Sequence, residues 1–452
     1  MKKILIKNID TLISCDEKDN IYTNTNILIE DGVIKDISNT EYEDCEIIDA
    51  KGMIVYPGLI NTHHHLYQTF TRNIMAVQNM ELFDWLTHLY NIWQHIDSNI
   101  IKYSSFVGMS ELIKSGCTTC FDHHYVFKNQ AKSDFIDTQF EVSKALNIRF
   151  HASRGSMSLS KKDGGLPPDS VVQNIDDILK DSQRLIKKYH DSSDNSMTQV
   201  ALAPCSPFSV TKELMIESAK LARKNNVRLH THLAETIDEQ NYTLKHFNKR
   251  PLEYMDSLDW LGEDVWFAHG IHFNDEELKV LAKTKTGIAH CPISNMKLSS
   301  GIAQVPKILD LDIPLGLAVD GSASNDGSNL LEEIRMCYLL HRLNSSTKAP
   351  TGYDILKIAT NGSAKILGRK KLGSLKISNM ADLFMINKNK LEFVGANTDY
   401  KSLLGTVGLK NNVDMTMVNG KVIYKDNEFK TIDEEKLLYE AQNAFMNFKK
   451  YI

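Results

Sequence analysis

Hydrophobic positions in residues 1–56 fall in short runs, Ile4-Leu5-Ile6, Asn26-Ile27-Leu28-Ile29, Val33-Ile34 and Met53-Ile54-Val55, with polar turns such as Asp31-Gly32 between them. Runs of this length bounded by turn residues predict short strands. From residue 57 to about 320 the pattern changes, and apolar runs alternate with longer amphipathic stretches. The runs lie at 58–60, 118–121, 148–150, 200–203, 227–229, 265–268, 287–289 and 314–319. Eight runs in this span leave about 33 residues per unit, the size of a βα repeat. Eight such units predict a (β/α)₈ TIM barrel. Helical patterns follow at 330–343 and 353–367, the second opened by Thr351 and Asp354 as a capping box. Residues 373–425 return to strands at 382–386 and 421–424, and 433–449 reads as a helix. The expected architecture is an α/β chain with three parts. A catalytic barrel covers 57–372, a small β-sandwich domain is built from 1–56 and 373–425, and a helical segment covers 426–452.

Composition narrows the function classes. Lys+Arg is 52 and Asp+Glu is 57, a formal charge of −5. That near-balance argues against a basic face for nucleic acid or an anionic membrane. No apolar run is long enough to span a bilayer. The basic start is broken by Lys7, Asn8 and Asp10, too early for a signal peptide. Seven scattered cysteines fit a reduced, cytoplasmic setting. Cys117 and Cys120 form a C-x-x-C with no second pair, so they read as barrel residues.

The chemistry gathers at strand ends. After the first barrel strand comes Pro57-Gly58-Leu59-Ile60-Asn61-Thr62-His63-His64-His65. Side chains two apart on a strand share a face, so His63 and His65 can chelate one ion while His64 points away. Strand five carries His230-Thr231-His232 and Glu235, strand six ends at His269, strand seven at His290 and strand eight at Asp320. Barrel enzymes place their chemistry at this C-terminal face. His63, His65, His232 and Asp320 suit one zinc ion per subunit with a position left for water; iron(II) and manganese(II) accept the same donors. The ion would lower the pKa of that water towards about 7. Asp320 can also take its proton. Glu235, just beyond the strand, is the expected general acid/base, and His269 would polarise the substrate or steer the hydroxide. His230 lies one layer deeper, behind the ligands.

These segments, with His290-Cys291-Pro292-Ile293-Ser294-Asn295 and Val319-Asp320-Gly321-Ser322, resemble the amidohydrolase superfamily. Met380-Ala381-Asp382-Leu383 and Val418-Asn419-Gly420 extend the resemblance to the terminal domain. It implies the mononuclear aminohydrolase branch, with the same ligands, Glu235 as proton shuttle and His269 as catalytic histidine. Relatives with two bridged metals place a lysine at the end of strand four, where this chain has Ala203-Pro204-Cys205-Ser206-Pro207-Phe208. One metal is therefore expected. The segments 66–69, 151–158, 164–170 and 205–210 are most similar to the 8-oxoguanine-deaminating members of the family. The implied reaction is 8-oxoguanine plus water giving urate and ammonia, with guanine, isoxanthopterin or a hydroxytriazine as alternative substrates. A cyclic amidase and a non-catalytic assembly protein are the alternatives of other classes. The missing lysine counts against the two-metal form of the first, and the full ligand set against the second.

For a small heterocyclic substrate, Arg154 is expected to fork onto a carbonyl and Gln68 to pair with the ring edge. His123, Cys205 and His290 complete the expected substrate contacts, although His290 reads equally well as a residue behind the ligands. The loop 164–170 reads as a lid or as plain surface. The aromatic set Phe83, Trp85, Tyr90 and Trp93 fits helix packing at least as well as a base-stacking wall. A homo-oligomer is compatible with the sequence.

Overall fold

A computed structural model describes residues 3–128 and 133–452; Met1 and Lys2 of the basic start lie outside the described residues. The first strands are β1 (Lys3–Ile13), β2 (Ile21–Glu30), β3 (Val33–Ser38), β4 (Glu46–Asp49) and β5 (Met53–Pro57). The barrel strands follow as β6 (Leu59–Asn61), β7 (Cys117–Asp122), β8 (Arg149–Ser156) and β9 (Thr198–Pro204). They continue as β10 (Arg228–Leu233), β11 (Val265–His269), β12 (Gly287–His290) and β13 (Leu315–Leu317). The chain ends with β14 (Leu383–Asn387), β15 (Met415–Val418), β16 (Lys421–Lys425), β17 (Glu428–Phe429) and the helix Glu434–Phe448.

Each of the eight expected barrel runs is a strand, and β6 to β13 pair in parallel in chain order. The chain is a TIM barrel. Its strands are almost entirely buried on both faces, which is why most read as short continuous apolar runs instead of alternating ones. Inward positions set the packing: Ile60, Phe121, Ala201, Trp266, Ala289 and Ala318 share one cluster. Ala201, Ala289 and Ala318 are small beside the Trp266 indole, whose N–H donates to the Thr62 carbonyl at 3.2 Å.

The seam between β13 and β6 is closed by backbone and side-chain bonds together. Thr62 donates to the Leu317 carbonyl from both its N–H (3.3 Å) and its hydroxyl (2.9 Å). The Asn61 side-chain oxygen accepts from Val319 N–H at 2.9 Å, and Asp320 N–H reaches the His63 carbonyl at 3.2 Å. This stitching sets His63 beside Asp320.

The terminal domain is one mixed sheet of nine strands, ordered β17-β16-β15-β14-β5-β1-β2-β3. β4 shares an edge of β1 with β5, pairing with Ile4–Lys7 while β5 pairs with Thr11 and Leu12. The sheet encloses its own core, including Ile6, Ile27, Val55, Leu383 and Met417. β1 is longer than the expected run because a bulge between Ile6 and Ile9 lets the strand bend and continue. The short β4, β15 and β17 carry little periodicity and escaped the sequence reading. The Thr351–Asp354 capping box is present. The helix it opens runs Gly352–Lys357, widens into a π-turn over Ile358–Gly362 and resumes at Ser363–Ile366. All seven cysteines are free, Cys117 and Cys120 buried within β7. No helix among the described residues is long and apolar enough to cross a membrane.

A buried ion pair ties barrel to sheet. Arg149, at the start of β8, donates from Nε and Nη2 to the two carboxylate oxygens of Asp382 at 2.6 and 3.0 Å. Its remaining Nη1 donates to the Asn195 and Ser196 carbonyls. Removing one partner strands a buried charge, at a cost of about 3–5 kcal/mol. Arg149→Ala should therefore lower the urea midpoint of unfolding strongly, and Arg149→Lys should not restore it, since an ammonium cannot fork onto both oxygens. A midpoint unchanged in Arg149→Ala would remove this tie from the fold.

Candidate metal centre and active site

Three imidazoles converge at the C-terminal mouth of the barrel, each fixed by a hydrogen bond at Nδ1. The His65 Nδ1–H donates to the His123 carbonyl at 2.7 Å, and the His232 Nδ1–H to the Cys205 carbonyl at 2.6 Å. The third is held through a relay. A carbonyl can only accept, so His230 Nδ1 carries a proton for the Trp266 carbonyl at 2.9 Å. Its Nε2 is then the acceptor for His63 Nδ1–H at 2.8 Å. Each of His63, His65 and His232 is left with a lone pair on Nε2. Burial pulls all three below the ordinary histidine range, so they are neutral.

The lone pairs face one another. His65 and His232 bring their Nε2 atoms to 3.1 Å, and His63 Nε2 has no hydrogen-bond partner. Asp320 Oδ1 lies 3.3 Å from both His63 Nε2 and His65 Nε2. Burial opposes ionisation of Asp320, and the charge of the nearby His269 imidazole favours it. Ser294 Oγ–H (2.6 Å) and Gly321 N–H (2.6 Å) anchor its two oxygens. A carboxylate and three neutral nitrogens aimed at one buried point form a donor set complementary to a borderline divalent cation and to little else.

Two further groups reach the same space by departures from regular strand geometry. Ala234 has φ +54°, and the left-handed turn carries Glu235 into the pocket. The Glu239 carboxylate secures that turn by accepting the N–H groups of Ala234 (3.0 Å) and Glu235 (2.9 Å). His269, at φ +73°, is held by Asn295 Oδ1 at 2.9 Å, with Nε2 3.4 Å from Glu235 Oε2. Burial lifts the Glu235 carboxyl to about 7, opposed by the His269 charge. For His269 burial acts downward, but the Glu235 and Asp320 carboxylates outweigh it and raise the imidazole.

One pocket at the barrel mouth gathers these groups. His65, His232, Glu235, His269 and Asp320 line its polar side; Trp85, Leu86, Tyr125, Phe208 and Leu298 supply the apolar one. Gln68 lines it too, its Oε1 unpartnered, in space available because a Cβ at Gly321 would stand 1.9 Å from that oxygen. Trp85 presents a buried Nε1–H that also lacks a partner. Cys205 lines the pocket with its thiol pushed up to about 12 by burial, so it is protonated and contributes its carbonyl to His232.

Other expected substrate contacts lie elsewhere. His123 stands against the ligands instead of the pocket, stacked on His232 at 4.8 Å with Nε2–H bonded to the Ala203 carbonyl. Arg154 points outward from β8 to Asp181 (2.7 Å) and Gln173 (2.8 Å), over the Phe127 ring. His290 also points outward and contacts His341. The loop 164–170 is pinned against the pocket wall, with Leu166 N–H on the Phe208 carbonyl and the Gly164 carbonyl receiving Tyr242 Oη–H. The sequence reading missed Tyr125, Phe208 and Leu298, which carry no signal beyond being apolar. It also missed Ser294, Asn295 and Glu239, whose roles depend on tertiary contact.

A sequence profile of the Amidohydrolase family matches residues 54–423. An 8-oxoguanine deaminase of Pseudomonas aeruginosa is 43% identical, covering 92% of this chain and 93% of its own. A hydroxydechloroatrazine ethylaminohydrolase of Pseudomonas sp. (strain ADP) is 37% identical, covering 98% and 95%. Among solved structures, an atrazine chlorohydrolase of Arthrobacter aurescens TC1 complexed with zinc superimposes with TM-score 0.94 at 30% identity, covering 98% of this chain and 100% of that one.

The relay through His230 is testable apart from the ligands. His232→Ala should remove most bound metal from purified protein. His230→Phe keeps every ligand but deprives His63 of its acceptor, and should weaken metal affinity about 10–100-fold. Chelator competition reads both. An unchanged affinity in His230→Phe would show that His63 is oriented some other way.

Proposed function

This chain belongs to the amidohydrolase family and is a metal-dependent aminohydrolase, and on that premise we propose that it deaminates 8-oxoguanine to urate and ammonia. The observation that carries the reading is the pairing of a cation-binding donor set with a carboxyl poised near neutrality, both opening on one pocket with apolar walls. Identity of 43% to an 8-oxoguanine deaminase supports this substrate over other amino-heterocycles.

His63, His65, His232 and Asp320 would hold the ion, for which zinc fits the donors best. When bound, the ion supplies the Lewis acidity that makes hydroxide available near neutral pH. The protein's own groups handle the protons. Asp320 Oδ1 takes one proton as water attacks the carbon bearing the amino group. Glu235, with its carboxyl near 7, begins protonated in a useful fraction of molecules and delivers its proton to the neighbouring ring nitrogen. The proton on Asp320 then passes to the amino group, which leaves as ammonia while the new hydroxyl returns its proton to Glu235. His269, fixed by Asn295, steadies charge at the attacked carbon. The walls formed by Trp85, Leu86 and Phe208 exclude other water, and the unpaired Gln68 Oε1 and Trp85 Nε1–H suit the polar edges of an oxidised purine.

A second reading, an alkylamino-substituted hydroxytriazine, draws on the 37% identity to the hydroxydechloroatrazine ethylaminohydrolase. Both readings require Glu235. Glu235→Gln should retain metal and lose at least about 10²-fold in kcat; full activity would remove Glu235 from the proton path. The substrates separate by kcat/KM from ammonia release. Polar pocket groups left unpaired by guanine could favour 8-oxoguanine over it by up to about 10⁴-fold. A higher value for guanine or for the triazine overturns the 8-oxoguanine assignment and leaves deamination standing.

A further inference from the structure

Outside the pocket, one group of metal-ligating side chains takes no part in the chemistry above. The helix Leu330–Ser345 turns Glu333, Cys337 and His341 inward at four-residue spacing, while Leu339 and Leu343 are exposed. A helix packed on a barrel ordinarily buries an apolar stripe and exposes the polar one; this helix buries Leu330, Leu331, Ile334 and Leu340 in that way and adds Glu333, Cys337 and His341 beside them. Cys337 and His341, one turn apart, meet His290 of β12. One donor atom from each lies within 4.8 Å of the others, and all three residues are buried.

A single hydrogen bond is the most that the two rings can make with each other. The Nε2 atoms of His290 and His341 stand 3.1 Å apart, which satisfies one donor and one acceptor and leaves both Nδ1 atoms without partners. Two nitrogens held at about 2.0–2.1 Å by one tetrahedral ion lie about 3.3 Å apart. The spacing also matches the 3.1 Å between His65 Nε2 and His232 Nε2 at the principal centre.

We propose that His290, Cys337 and His341 form a second, structural metal site for a soft divalent ion of the zinc class. Burial keeps His290 well below the usual histidine range and His341 at about 4, so both imidazoles are neutral and able to ligate. Burial also pushes the Cys337 thiol far up, so its sulfur becomes a ligand only as the sulfur–metal bond forms and the proton leaves to solvent. No electron is transferred. Glu333, one turn earlier and fully buried, accepts from Ile293 N–H and Asn325 Nδ2; burial holds its carboxyl well above the usual carboxylate range, so the thiolate is the anionic donor. The ion would clamp the helix Leu330–Ser345 onto β12. The next helix, Pro292–Lys297, carries Ser294 and Asn295, the groups that hold Asp320 and His269.

Cobalt(II) tests the site directly, because a sulfur-to-cobalt charge-transfer band in the near ultraviolet requires a ligating thiolate. Full-length protein stripped with chelator and titrated with cobalt should bind two ions per chain and develop that band. Cys337→Ser should lose the band and one equivalent, and His341→Leu should lose one equivalent. His232→Ala should lose the other equivalent and keep the band. Cys205→Ser, which alters the thiol beside the principal centre, should keep both. Wild-type protein that binds one equivalent without the band overturns the proposal, whatever the folding of the variants. So does a band that disappears with Cys205 and not with Cys337.

Discussion

Neutral imidazoles whose lone pairs face one another in a dry space repel unless a cation joins them. That constraint organises the mouth of this barrel. The three rings cannot turn away, because each Nδ1–H is committed to a backbone carbonyl, directly or through His230. Those carbonyls belong to His123, Cys205 and Trp266, which lie on or just beyond β7, β9 and β11. The orientation of the cluster therefore depends on strand register. His230 pairs with Trp266 across the β10–β11 ladder, and a slip of one residue would turn the inward side chains outward.

Strand parity explains what the sequence made legible and what it hid. On β10, His230 and His232 share the inward face, and the continuation of β7 and β9 carries Phe121 to His123 and Ala201 to Cys205 on that same face. These positions could be read from alternation alone. Arg154 and His290 obey the same rule in the opposite sense. Ser153 and Ala289 take the inward places, so their neighbours face the helices. Counting back from the strand end, instead of noting proximity to it, would have excluded both from the pocket. The metal ligands, Glu235 and His269 carried a motif-level signal, whereas the apolar walls did not, because an exchange of leucine and phenylalanine leaves the pattern of the chain intact. The weakly periodic strands of the terminal sheet were obscured for a related reason: β4 and β17 are held by their neighbours more than by their own composition.

Glu235, His269 and Asp320 depart from parity through the backbone. Ala234, His269 and Asp320 all have positive φ, a conformation that costs a non-glycine residue on the order of 1–3 kcal/mol. Each is held by a dedicated contact: Glu239 on the turn after Ala234, Asn295 on His269, Ser294 on Asp320. Two of these props come from the one short helix Pro292–Lys297. Strain at the ends of β10, β11 and β13 thus places acid, base and ligand around one pocket, and the scaffold behind them keeps that strain from relaxing.

The composite sheet has a consequence for how the chain is made. β5 ends at residue 57, but the strand that completes its open edge, β14, begins at residue 383. A ribosome adding about 5–20 residues per second needs roughly 16–65 s to bridge that interval. Throughout it the Met53–Pro57 edge is exposed on the nascent chain, with its hydrogen-bonding groups free to capture another strand. Asp382, the partner of buried Arg149, emerges just as late. The interval is long compared with the folding of most single domains, so the newborn barrel must be tolerated by the cell with one flank unsealed. Conditions that lengthen translation, or raise the local density of sister chains on one message, will favour pairing between copies over pairing within one.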